Sequence, residues 1–101
     1  MTNFTILTDE DIAEKLSTCP GWHLDNDQLK AEFTFADFKQ AFAFITLVAT
    51  QSEKVGHHPT WSNTYNQVSF ALSTHDAGDK ITDLDTDMMT FISESAHIFT
   101  Q

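Results

Sequence analysis

Residues 28–35 alternate strictly between polar and apolar side chains, and nothing else in the chain constrains its folding as strongly. Leu29, Ala31, Phe33 and Phe35 fall on one side, and Gln28, Lys30, Glu32 and Thr34 on the other. A period of two describes a strand with one buried face. The pattern returns from Tyr65 to Thr74, with Val68, Phe70 and Leu72 opposite Gln67, Ser69, Ala71 and Ser73. Between the two, the spacing becomes helical. Phe38, Ala41, Phe42, Ile45, Val48, Ala49 and Ser52 recur at helical intervals, which predicts a helix running to about Lys54 and closed by Gly56. Thr34 is the expected cap at its start.

The remaining segments fill in around this frame. Thr8 followed by Asp9, Glu10 and Asp11 reads as a capped helix start, stapled by Leu7 and Ile12, with its end near Ser17 or Thr18 before Pro20. Trp22 to Leu24 is a short strand, and Asp25-Asn26-Asp27 a turn leading into the alternating segment. A further extended piece spans Thr60 to Asn63, and a polar loop spans Asp76 to Lys80. A last helix opens at Thr82-Asp83-Leu84-Asp85, with Leu84, Met88, Ile92, Ser95 or Ala96, and Phe99 on its inner stripe. The order α-β-β-α-β-β-α predicts an α+β fold, an antiparallel sheet covered by helices on one face. With 101 residues the chain has room for a single domain, residues 1–101.

Charge narrows the function classes. The formal net charge is −10, from five Lys and Arg against fifteen Asp and Glu. Such a surface repels the phosphate backbone, so no direct nucleic-acid binding is expected. Anionic membrane surfaces are disfavoured for the same reason. A lone cysteine, Cys19, allows no intramolecular disulfide and fits a reducing compartment. The first residues have neither a basic start nor a long apolar run, and no stretch has the length of a membrane span. A cytoplasmic location is the expectation.

Three of the five histidines, His57, His58 and His75, carry the chemical signal. His57 and His58 follow the long helix, and Pro59 biases His58 towards an extended backbone. Glu53 stands four residues before His57, so one helical turn brings its carboxylate towards the imidazole or a ligand. His75 ends a strand beside a Gly-containing loop, a usual place for working residues on a rigid scaffold. Trp61 offers a flat face for an aromatic heterocycle. Each feature also has a structural reading. The histidine pair can serve as a solvated helix cap, Trp61 as packing, and Asp83, Asp85 and Asp87 as a solvated helix start. Met88, Met89 and Phe91 belong to the core. His23 and His97 form no pattern. Three imidazoles can hold a zinc ion, but adjacent His57 and His58 aim poorly at one point, so no metal site is expected.

Glu53-x-x-x-His57-His58-Pro59-x-Trp61, then Asn63-x-Tyr65-Asn66-x-Val68, then Leu72-Ser73-Thr74-His75-Asp76-Ala77-Gly78, resembles the pterin-4a-carbinolamine dehydratase family. The likeness extends over most of the chain. It implies a four-stranded antiparallel sheet with three helices, and a homodimer or homotetramer built by sheet and helix contacts. It implies a small-molecule pterin substrate, with 4a-hydroxy-tetrahydropterin dehydrated to quinonoid dihydropterin and water and with no cofactor. By the same resemblance His57, His58 and His75 are the catalytic set, with His57 and His75 as acid–base groups and His58 orienting the pterin. Glu53, Trp61, Ser73, Thr74 and Asp85 are the implied substrate-binding residues, Ser73 and Thr74 through their backbone.

The loop from Asp76 to Asp85 is one residue longer than the family pattern. The acidic residue that the family places near the last helix then falls on Asp85 in preference to Asp83. Two other functions remain open on the sequence. One is a non-catalytic binding module, a dimerisation cofactor of a transcription factor, as some family members are. The other is dehydratase chemistry elsewhere in pterin metabolism.

Overall fold

Two tight turns organise the sheet. Asn26 and Asp27 both take positive φ (53° and 58°), the turn geometry whose twist matches that of the flanking strands. They join β1 (His23–Asp25) to β2 (Gln28–Thr34). Tyr65, at φ 50°, and Asn66 form the two-residue turn that joins β3 (Thr60–Thr64) to β4 (Gln67–Leu72), with positive φ at the first position only. The computed structural model describes residues 3–100. Its four strands form one antiparallel sheet in the order β1-β2-β4-β3, so the second hairpin inserts β4 against β2 and leaves β3 at an edge. Three helices complete the fold: α1 (Asp9–Ser17), α2 (Phe38–Val55) and α3 (Asp83–Thr100). The α+β architecture and the element order are those expected from the spacing.

The alternation in β2 and β4 sorts the two faces. Leu29, Ala31, Val68, Phe70 and Leu72 are buried on the side covered by α2 and α3, and Ile12 of α1 joins the same core. Lys30, Glu32, Ser69 and Ala71 lie on the opposite, more open face. Phe44 sits at the centre, with ring centroids 4.8 Å from Phe35, 5.6 Å from Phe33 and 5.7 Å from Phe70. No helix among the described residues is long and apolar enough to cross a membrane.

Four local expectations are corrected. The cap of α2 is Asp37, whose carboxylate accepts the Gln40 N–H at 2.8 Å, and not Thr34. Thr34 is still paired in β2 with Gln67, so the helix cannot begin there. The inner stripe of α2 runs through Ala41, Phe44, Ile45, Val48 and Ser52. Phe38 and Phe42, assigned to that stripe from spacing, are 47% and 53% exposed and pack on each other instead. With aromatics on both faces of α2, spacing alone cannot tell which row turns inward. Strand β4 starts at Gln67, because Tyr65 and Asn66 are consumed by the turn. Finally, the polar loop after β4 carries one short 3-10 turn, His75–Ala77.

Phe44→Ala is expected to lower the unfolding free energy by about 3–5 kcal/mol, because it empties the centre of the aromatic cluster. Urea denaturation of the two proteins side by side measures this.

Candidate active site

The sheet topology creates the site. Strands β3 and β4 are antiparallel, and Thr60 pairs with Ala71. The chain entering β3 therefore lies beside the chain leaving β4. That places His57 and His58 next to Ser73, Thr74 and His75 at one end of the sheet. The long helix is stopped just before this point by Gly56, which takes φ 70° and returns its N–H to the Ser52 carbonyl. A residue with a β-carbon is strained in that conformation. The His57 N–H bonds to the same carbonyl, so His57 is held by its backbone immediately after the helix.

A cavity of about 460 Å³ opens here. His57, His58, Ser73, Thr74 and His75 line it together with Phe4, Gly56, Asp76 and Leu84. Phe4 reaches the cavity because the N-terminal segment runs antiparallel to the start of α3: Leu7 donates to the Ile81 carbonyl, and Asp83 donates to that of Thr5.

Each of the three imidazoles has one nitrogen against a carboxylate. His57 Nε2 is 2.6 Å from Asp85 Oδ1, and both side chains are buried. His58 Nε2 is 2.6 Å from Glu53 Oε2 at the surface. His75 Nδ1 is 3.2 Å from Asp79 Oδ1, with the His75 side chain 92% exposed. A carboxylate accepts only, so the nitrogen facing it is the one that carries the proton. All three rings border the cavity. Among the described residues no group of three or more His, Cys, Asp and Glu side chains is placed to hold a metal ion.

Several expected contacts fall elsewhere. Glu53 pairs with His58, not with His57; leaving the helix turns the two rings apart, and only the second faces back along α2. Asp85 is fully buried, so it is not part of a solvated helix start. It stands behind His57 and does not itself line the cavity. Thr74 has its backbone N–H bonded to the Lys80 carbonyl, while its own carbonyl accepts from Ala77 and Asp79. What it directs into the site is a buried hydroxyl, 2.8 Å from Asp85 Oδ2. Trp61 lies outside this cavity. It borders a separate groove with Lys30, Ser62 and Ser69, with its ring 6.4 Å from that of Phe70.

Phe4 and Leu84 in the cavity lining were not foreseen, nor were Asp79 and Thr82. Asp79 meets His75 only because Gly78 and Asp79 both take positive φ and turn the loop back; four residues apart in a loop, the pair has no sequence signature. Thr82 did have one. Thr82-x-x-Asp85 repeats the spelling of Thr8-x-x-Asp11, and in both the carboxylate accepts the threonine N–H; the Thr8 hydroxyl accepts from the Asp11 N–H, the Thr82 hydroxyl from the Leu84 N–H.

Comparison with known proteins agrees with this geometry. The model of the family described as pterin 4 alpha carbinolamine dehydratase matches residues 5–95. A protein of Prochlorococcus marinus, provisionally named a pterin-4-alpha-carbinolamine dehydratase, is 47% identical over 96 residues, which is 95% of this chain and 96% of that one. One from Rhizorhabdus wittichii with the same provisional name is 51% identical over 74 residues, 71% of this chain and 76% of the relative. Among solved structures, a transcriptional coactivator/pterin dehydratase from Brucella melitensis superposes with a TM-score of 0.86 at 34% identity, covering 91% of this chain and 99% of that one. On sequence, fold and site geometry together, the chain belongs to the pterin 4 alpha carbinolamine dehydratase family.

Proposed function

We propose that this protein is a hydro-lyase that dehydrates 4a-hydroxy-tetrahydropterin, such as the tetrahydrobiopterin derivative, in tetrahydropterin recycling. The observation that carries the reading is the cavity itself, which three imidazoles, each backed by a carboxylate, line together. In the reaction the C4a–O bond breaks, N5 loses its proton and a C4a=N5 double bond forms. The departing hydroxide leaves as water once it has been given a proton. Nothing is oxidised or reduced, so the step needs proton donors and acceptors and no redox cofactor. Imidazole suits both tasks near neutral pH.

In this reading His57 and His75 exchange the two protons, and His58, held by Glu53, orients the pterin ring. Ser73 borders the ring edge, and Asp85 holds His57. Phe4 and Leu84 supply apolar contact in the cavity, a part that Trp61 does not play within a single chain. The protein works in the cytoplasm, as a homodimer or homotetramer, and binds no nucleic acid directly. The exposed Phe38–Phe42 pair and the edge strand β3 support the oligomer, and the net charge of −10 supports the last point.

The description of the Brucella protein as a coactivator keeps a second reading in view, a binding module that serves as dimerisation cofactor of a transcription factor. One assay separates the two. Freshly generated 4a-hydroxy-tetrahydropterin decays on its own, and ultraviolet absorbance follows the decay. The wild-type protein is expected to accelerate it, and His75→Ala to lose about 10²–10⁴-fold of that acceleration. His75 is exposed, so the variant should melt with the wild type. A folded wild-type protein that leaves the decay rate unchanged would reject the dehydratase reading in favour of the binding module.

Asp85→Asn has a different expected signature. It removes the charge and places an N–H₂ where three donors converge. The fold should lose about 1–3 kcal/mol and dehydration should fall together with it, as thermal melts and the same absorbance assay will register.

A further inference from the structure

The buried oxygens behind His57 form a hydrogen-bond chain with a definite direction. Asp85 Oδ2 accepts the backbone N–H of Thr82 at 2.9 Å and the hydroxyl of Thr74 at 2.8 Å. A hydroxyl has one proton to give. With the Thr74 proton committed to the carboxylate, the 2.6 Å contact between Thr74 Oγ1 and Thr82 Oγ1 is a bond donated by Thr82. Thr82 Oγ1 in turn accepts the N–H of Leu84 at 3.2 Å. Thr74 and Thr82 are 4% and 0% exposed, so water does not compete for these protons. Every donor runs towards Asp85, and His57 Nε2 is the last of them.

We infer that Thr74, backed by Thr82, is a positioning residue that holds Asp85 as a pure acceptor and thereby fixes His57 as the tautomer protonated on Nε2. Nδ1 of His57 has no hydrogen-bond partner among the described residues, and the ring borders the cavity. It therefore meets the substrate as a proton acceptor. Resting on the dehydratase reading, the inference makes His57 the base that takes the N5 proton, becoming the imidazolium, and leaves His75, starting as the imidazolium, to protonate the departing hydroxyl. His75, exposed at the cavity mouth, resets with solvent. Without the Thr74 hydroxyl, Asp85 Oδ2 keeps only the Thr82 N–H, the carboxylate is held less firmly, and the preference of the ring weakens.

The test uses long-range proton–nitrogen correlation spectra of the ¹⁵N-labelled full chain at pH about 8, where free imidazole is neutral. The His57 signals are assigned against His57→Gln. Wild type and Thr74→Ser, which keeps the hydroxyl, are expected to show a protonated Nε2 and a bare Nδ1. Thr74→Val is expected to show mixed tautomers, with kcat lower by about tenfold and KM within about twofold, and Thr74→Ser restoring kcat. A Thr74→Val protein in which either the tautomer or kcat stays at its wild-type value overturns the inference. So does a wild-type His57 protonated on Nδ1, a readout that decides the matter even if Thr74→Val does not fold. Should wild type fail to dehydrate the substrate at all, the functional reading falls, and the tautomer spectra alone then decide the role of Thr74.

Discussion

One buried carboxylate ties the working end of this molecule together. Asp85 accepts from Thr82 just before α3, from Thr74 two residues past β4, and from His57 two residues past α2. Three separate chain segments are thus fixed to two oxygen atoms. Burying a carboxylate is costly unless its lone pairs are filled. Here two backbone-anchored partners and an imidazole fill them. The cost of burial therefore selects one arrangement of the loop, the helix start and His57, because other arrangements strand the charge.

The other two histidines show how burial changes what a carboxylate does. Glu53 and Asp79 meet His58 and His75 at the surface, where water screens the pair and competes for its hydrogen bonds. Those contacts bias ring orientation without locking it. His57, in contrast, is bonded at its backbone to Ser52 and at its ring to Asp85. The cavity thus combines one buried, firmly held imidazole with two exposed ones whose carboxylate partners are screened by water.

Legibility from sequence followed the physics of each element. The strands of the second and fourth positions were readable because alternation is a direct image of a two-faced sheet. The helix ends at Thr8 and Gly56 were readable because caps have their own chemistry. The face of α2 was not, since Phe38 and Phe42 are as apolar as Phe44 and only the sheet decides which row it covers. The grouping of His57, His58 and His75 was implied by the family resemblance, and the pairing of β3 with β4 is what brings them to one corner. Its wiring was not legible. Glu53 lies at the helical interval from His57, yet the chain has left the helix by then. By pattern Asp85 is one more acid at a helix start; the family resemblance singled it out, but its burial and its hold on His57 show only in the fold.

Asp85 accepts the Thr82 N–H at the start of α3 and also holds His57. In the proposed reading fold and chemistry therefore share this one residue and cannot drift apart there. His75 is the opposite case, since almost nothing in the fold depends on its side chain. A descendant that abandoned catalysis while keeping this scaffold for another use would thus change early at His75 and late at Asp85. The order of those two losses would date the change of occupation.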